Sequence, residues 1–281
     1  MNLKSLFVLG VFMINGCYSA HILVLAVIGS KSHKISLTPI LKELAHRGHN
    51  VTFVTPYRST EETEGLKEIK IENLLVTSNK FKFNWFELNK LNPIMVQYTI
   101  MKAVPLLIKP VLDVVMANGE LLKVLKNQQV DAVILDDSYH EFCLPLIDNL
   151  GAPFILHSAS TGYPWSWAAI GASQELAITP SRFSPYHNEM QFHERLYNVM
   201  MSFGLNLVRN FLMIPVMDTI NEEYFPDARP ISVIEKEASL LFLSSKFATS
   251  WPRPLPPSVV SLGPLHVRQA LPLSQVFIMV T

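Results

Sequence analysis

The stretch HILVLAVIGSKSHKISLTPILKELAHRGHNVTFVTP, residues 21–56, decides the fold. It opens with a β-branched and Leu-rich apolar run, residues 21–28, closed by the turn cluster Gly29-Ser30-Lys31-Ser32. That is the pattern of a strand buried on both faces. Ile35, Leu37, Ile40, Leu41, Leu44 and Ala45 then recur at helical spacing. A helix is therefore expected over residues 33–46, with Ser32 as its N-cap and Arg47-Gly48 as its stop. Residues 51–54 make a second short strand, closed by Pro56. Strand, helix and strand in so short a stretch predict a right-handed βαβ crossover.

Outward from this unit the alternation continues. A third strand is expected at residues 69–76, and after it Phe81, Phe83, Trp85, Phe86 and Leu88 crowd one short region. Such rings either line a pocket or pack the core beneath a loop. Residues 94–125 keep helical spacing, with Pro105 and Pro110 expected to kink or divide them into two helical pieces. Residues 130–135 form another apolar strand that ends at Asp136-Asp137, residues 142–150 a helix stopped by Gly151, and residues 152–156 a further strand. Beyond Ser160 the pattern loosens before a helical zone at residues 190–217, expected as a lid or subdomain on the sheet. A strand at residues 238–243 precedes the stiff exit Trp251-Pro252-Arg253-Pro254 and Pro256-Pro257, which leads to Val259-Val260. Buried strands alternating with helices predict an α/β fold: an open, doubly wound, Rossmann-like parallel sheet.

Composition narrows the class. The 281 residues are 49% hydrophobic, enough for a substantial core, and 23 Lys plus Arg balance 23 Asp plus Glu. Zero formal charge and no basic stripe argue against a nucleic-acid partner. Lys4, an apolar run at residues 6–14 and the small residues Gly16, Cys17, Ser19 and Ala20 read as a secretory signal peptide, residues 1–19. The run is shorter than the roughly 20 residues a bilayer span needs. Once it is removed only Cys143 remains, so no intrachain disulfide is expected in the oxidising compartment. Residues 199–217 are the most membrane-like stretch, interrupted by Asn206, Arg209 and Asn210; they read as an amphipathic helix, buried or facing a membrane. Asn50-Val51-Thr52 is a glycosylation sequon that overlaps a strand start.

Chemistry in an open α/β sheet collects at the carboxyl ends of the strands. His33 follows the first strand and Asp136 closes the strand at 130–135, so neighbouring placement of those strands would bring both to one crevice. An imidazole with a pKa of about 6.5 accepts a proton near neutrality, and a carboxylate fixes its tautomer and stabilises the imidazolium: a general-base dyad. The same residues have a plain alternative, a surface or capping His and an N-cap Asp. Other motifs are incomplete. Gly29-Ser30-Lys31-Ser32 lacks both the dinucleotide glycine spacing and the phosphate-loop ending, and there is no nucleophile elbow. Leu144 stands where a metalloprotease helix begun by His140-Glu141 needs its second His, so no metal is expected.

Three segments carry a resemblance: GSKSHKISLTPILKELAHRGHNVTFVTP at 29–56, DAVILDD at 131–137 with GAPF at 151–154, and SSKFATSWPRPLPPSVVSLGPLHV at 244–267. On these the chain resembles the N-terminal half of animal, especially arthropod, UDP-glucuronosyl- and UDP-glucosyltransferases of the GT-B fold. The resemblance implies that His33 is the base that deprotonates the acceptor hydroxyl and that Asp136 is its partner. A spacing one residue shorter, seen in vertebrate relatives, would select Asp137. It further implies a small lipophilic hydroxyl compound as acceptor, with Phe83, Trp85 and Tyr139 as candidate contacts, and a UDP-sugar as donor substrate with no resident cofactor.

The organisation this implies is a signal peptide at 1–19, an acceptor-binding domain at 20–250, and a Pro-rich interdomain linker with an atypical end at 251–281. Relatives carry Gly-Gly where this chain has Gly263-Pro264, then a donor-binding domain, a membrane anchor and a basic tail. The expectation is an endoplasmic-reticulum protein, in the lumen or at the membrane, that binds UDP-sugar only together with a donor domain and is inactive alone. The alternative is a non-catalytic module that binds lipophilic ligands or forms homo- or hetero-oligomers with full-length relatives.

Overall fold

In the computed structural model, which describes residues 19–59, 61–74, 87, 90–187, 189–246 and 250–269, the stretch that opens the chain becomes β1 (His21–Leu25), α1 (Lys31–His46) and β2 (Asn50–Thr55). The remaining strands are β3 (Leu66–Lys70), β4 (Ala132–Asp136), β5 (Phe154–Ser158), β6 (Leu240–Leu243) and β7 (Val259–Ser261). They form one sheet in the order β3-β2-β1-β4-β5-β6-β7, every neighbouring pair parallel. Two strands flank β1 on one side and four follow on the other, so the winding reverses between β1 and β4.

Alternation along the central strands explains why helices cover both faces. Leu23, Leu25 and Val27 enter one core while Ile22, Val24 and Ala26 enter the other, and β4 splits Val133 and Leu135 from Ile134 in the same way. Leu37, Leu41 and Ala45 of α1 fill the smaller core. The larger takes the helices of the other face, and each fully buried Leu or Val there is worth about 1.5–3 kcal/mol. Thr52 of the sequon is buried in β2 and meets Nε2 of His21 at 2.9 Å.

Several boundaries differ from expectation for physical reasons. The cap of α1 is Ser30, not Ser32: its extended backbone accepts from the amide of His33 at 3.0 Å, and its hydroxyl turns to that of Ser32 instead of capping. Pro105 and Pro110 do not divide their helix, α2 (Pro93–Met116), because Val104, Ile108, Val111, Leu112 and Val115 hold its buried face to the core. The break falls at residues 117–118, where Asn118 caps α3 (Gly119–Asn127) by accepting from the amide of Leu121 at 2.8 Å. Residues 140–150 hold a 3₁₀ turn (His140–Cys143) and the short α4 (Leu144–Asp148).

Beyond α5 (Pro164–Ala169) the helical zone is α6 (Phe192–Val208), a π-helical turn (Arg209–Met213) and α7 (Ile214–Glu222), with α8 (Ile231–Ile234) after it. It is no separate lid: Met201, Leu205, Met213, Ile214 and Met217 share the core of α2 and the sheet. The Pro-rich exit leads into β7, where Val259 pairs with Leu241 of β6.

Candidate functional site

At the carboxyl end of β1 the chain passes through Gly29 and Ser30 into the first turn of α1, which carries His33. At the carboxyl end of the adjacent β4 stands Asp136. Parallel pairing of Leu25 with Leu135 therefore sets both side chains over one crevice, at the reversal of the winding. Nδ1 of His33 lies 2.8 Å from Oδ1 of Asp136. Because the carboxylate only accepts, the tautomer with its hydrogen on Nδ1 fits, and Nε2 keeps its lone pair. Ser138 sets its hydroxyl 3.3 Å from the same Nδ1.

The two partners differ in access. The His33 side chain is 19% exposed and that of Asp136 3%. Burial pulls the His33 pKa down, but the hydrogen bond and negative charge of Asp136, aided by Asp137, more than offset it, so the net shift is upward. Among the described residues Nε2 has no hydrogen-bond partner.

Asp137, the alternative acid, points elsewhere. It is fully buried, receives a hydrogen bond from Ser166 at 3.3 Å, and leaves Oδ1 without a partner. Burial first, and Asp136 beside it second, push its carboxyl up to about 7. Asp136, not Asp137, touches His33. Tyr139 takes a left-handed backbone, φ 55°, and packs its half-buried ring against the large core, where burial raises its phenol. Among the described residues no hydrogen bond or ion pair joins it to His33. Phe83 and Trp85 lie outside the described residues.

Other groups at this edge escaped the sequence. His157 stands opposite Asp136 in β5; burial drives its pKa down to about 4, and Nε2 meets the hydroxyl of Ser244 at 3.1 Å. Tyr163 stacks on Trp165 with centroids 4.7 Å apart, Phe183 sits 6.0 Å from Tyr163, and Arg182 lies 4.5 Å over the Tyr163 ring. The three rings form an aromatic wall in the segment that follows β5. Its only sequence signal was the aromatic run Tyr163-Pro164-Trp165, which has no periodicity to mark it. A cavity of about 540 Å³ at the ends of β6 and β7, lined by Trp251 and Arg253 among others, belongs to the same edge but not to His33. Among the described residues no group of three or more His, Cys, Asp or Glu side chains is placed to hold a metal ion.

Comparison with known proteins gives this geometry a context. UDP-glycosyltransferase UGT5 of Dactylopius coccus is 24% identical over 93% of this chain and 50% of its own length. UDP-glucuronosyltransferase 3A1 of Bos taurus is 29% identical over 56% of this chain and 30% of its own. UDP-glucuronosyltransferase 1A1 of Homo sapiens is 23% identical over 92% and 50%. The chain spans about half the length, or less, of these curated relatives. Among solved structures, the calicheamicin glycosyltransferase CalG4 aligns with a TM-score of 0.46 at 16% identity, over 88% of this chain and 53% of that one. Phytolacca americana UGT2, complexed with UDP-2fluoro-glucose and pterostilbene, aligns with a TM-score of 0.43 at 13% identity, over 90% and 55%. The model of the family described as UDP-glucoronosyl and UDP-glucosyl transferase matches residues 20–280, and the chain belongs to that family.

Proposed function

We propose that this chain supplies the acceptor side of a UDP-sugar transferase, with His33 as general base and Asp136 as the group that orients it. The observation that carries the reading is the 2.8 Å contact between Nδ1 and Oδ1 at the sheet's crevice, with Nε2 unengaged. In this reaction the acceptor hydroxyl gives its proton to Nε2 while its oxygen attacks the anomeric carbon of the sugar. The bond from that carbon to the UDP oxygen breaks, and UDP leaves with the electron pair. Attack from the face opposite the leaving group turns an α-linked donor into a β-glycoside, and Asp136 stabilises the imidazolium. Base catalysis of this kind contributes about 10²–10⁴-fold, and holding acceptor and donor together supplies the rest. The stacked rings of Tyr163, Trp165 and Phe183 favour a small lipophilic acceptor.

The test is an assay of the 281-residue chain, alone and fused to the second half of the Dactylopius coccus UGT5, with UDP-glucose and UDP-glucuronate against a panel of phenols. Transfer by the fusion that His33→Ala abolishes supports the reading. Transfer that survives the substitution at an undiminished rate removes His33 from the mechanism. Binding of phenols without transfer in either form favours the non-catalytic module instead.

A peripheral membrane contact is part of the same reading. The segment Phe192–Glu222, 31 residues, is by length and composition apolar enough to cross a membrane, yet 33% of its most apolar window is buried against the protein. Its polarity is partly inverted: Asn198, Ser202, Arg209 and Asn221 are buried, while Leu196, Met200, Phe203, Phe211 and Leu212 are exposed. A helix with such an outer face lies well at a lipid interface. Flotation with phosphatidylcholine and phosphatidylserine vesicles tests it; a chain that stays at the bottom of the gradient refutes it.

A further inference from the structure

Gly29 does not need to be glycine for its backbone: among the described glycines, Gly48, Gly65, Gly151, Gly162, Gly171 and Gly263 have positive φ, and Gly29 does not. What it lacks is room. A Cβ built there would lie 2.3 Å from Oδ2 of Asp136, 2.9 Å from Cβ of His33 and 3.1 Å from its Cγ, where real Cβ atoms essentially never come closer than 3.0 Å. Both members of the pair therefore touch the bare Cα of one residue. Oδ2 of Asp136 is buried without a hydrogen-bond partner, so one carboxylate oxygen bonds His33 while the other rests against Gly29.

Neither side is free to yield. Asp136 is fixed by the pairing of β4 with β1 and β5, and His33 by an α1 whose Leu37 and Leu41 are fully buried. From this contact, and resting on the His33–Asp136 reading above, we infer that Gly29 is a positioning residue: its missing side chain is the slot that seats the Asp136 carboxylate against Nδ1 of His33. Filling the slot must turn the carboxylate away or lift the first turn of α1, and either one lengthens the 2.8 Å bond.

The experiment is a ring titration of His33 by NMR in the full 281-residue chain labelled at histidine, with the signal assigned by its loss in His33→Gln. Asp136→Ala should lower the midpoint by about one unit, the usual scale for losing an adjacent opposite charge. Gly29→Ala should lower it by at least about half as much on the same scale, and Gly29→Ala with Asp136→Ala should match Asp136→Ala alone. Gly119→Ala, where an added Cβ meets nothing within 4 Å, is the control and should leave the midpoint in place.

An unshifted midpoint in Gly29→Ala, with Asp136→Ala shifted, overturns the inference and leaves the pair standing. An unshifted midpoint in Asp136→Ala overturns the pairing itself. Should Gly29→Ala not fold, the double variant decides. Folding restored by removal of the carboxylate supports the slot, whereas failure of both assigns Gly29 to the backbone and ends the proposal.

Discussion

Among the described residues two histidines meet a buried carboxylate, and they differ in whether a ring nitrogen is left open. His33 bonds Asp136 through Nδ1 and keeps 19% of its side chain exposed. His140 has no exposed side chain at all: Nδ1 faces the carbonyl of Asp137 at 3.2 Å, and Nε2 lies 3.3 Å from Oε1 of Glu235. That same Oε1 takes Nη2 of Arg209 at 2.6 Å, while Nε of Arg209 meets Glu141 at 2.9 Å. Burial pulls the His140 pKa down, but Glu235 and Glu141 outweigh it and raise it; Arg209 likewise holds Glu235 below its ordinary range against the effect of burial. The lesson is that a histidine and an acid do not define a catalytic pair. One ring nitrogen must remain open to a substrate, and sealing both turns the same chemistry into structure.

The largest effect should come from the open pair. His33→Ala in the fused enzyme is expected to cut kcat by about 10²–10⁴-fold in a chain that still unfolds cooperatively. A loss under tenfold would place the open pair in the same class as the sealed one. Next, Arg209→Met strands Glu141 and Glu235 in the core, which should cost about 3–5 kcal/mol. Thermal unfolding should show a melting point lower by roughly 10 °C. A change below about 1 kcal/mol would mean that water reaches the cluster and that sealing is not the distinction.

The pH dependence sharpens the comparison further. The folded pKa of Asp137, about 7, lies above its ordinary value of 3.8. Its contribution to stability is therefore present below the unfolded value and lost as pH rises through the folded one. His33 is also raised, so its contribution is complete below 6.5 and is lost as pH rises through its folded value. Asp137→Asn should then gain stability over the parent at pH 8 relative to pH 5, by up to about 3 kcal/mol in urea titrations. An equal difference at both pH values would show that the Asp137 carboxyl titrates in the folded protein at its ordinary value, as it does in the unfolded one.

How far the sequence carried these features depends on what kind of order they represent. β1, α1 and β2 were legible because burial on both faces and a helical stripe leave periodic marks. The meeting of His33 with the end of β4 was legible only on the condition that β1 and β4 are neighbours, which the order of strands and helices along the chain does not by itself fix. The acid was read as Asp136 with Asp137 as the alternate, because the choice turns on one residue of spacing. The uninterrupted passage of α2 through two prolines was not legible, being decided by tertiary packing over local propensity. Gly29 read as a turn residue; the reason for it is a side chain 107 positions away at Asp136. The sealed cluster was hidden too, as Arg209 looked like an interruption of an apolar helix.

That interruption supplies the smallest expected effect on stability. Phe211 lies two residues from Arg209 and is 73% exposed, and Phe203 is 58% exposed, whereas Met201 on the inner face is 4% exposed. The π-helical turn at Arg209–Met213 turns the arginine inward while its neighbours face out. Phe203→Ser and Phe211→Ser remove exposed rings and should each change unfolding free energy by less than about 0.5 kcal/mol. Met201→Ser deletes packed volume and buries a hydroxyl, so it should cost at least about 2 kcal/mol. Vesicle flotation of the same variants separates the faces in the opposite order: Phe203→Ser and Phe211→Ser weaken lipid binding, and Met201→Ser, while folded, does not. If the outer rings matter for stability as much as Met201, the apolar face is covered in solution by protein and not by lipid, and the boundary between sealed and open surfaces must be redrawn.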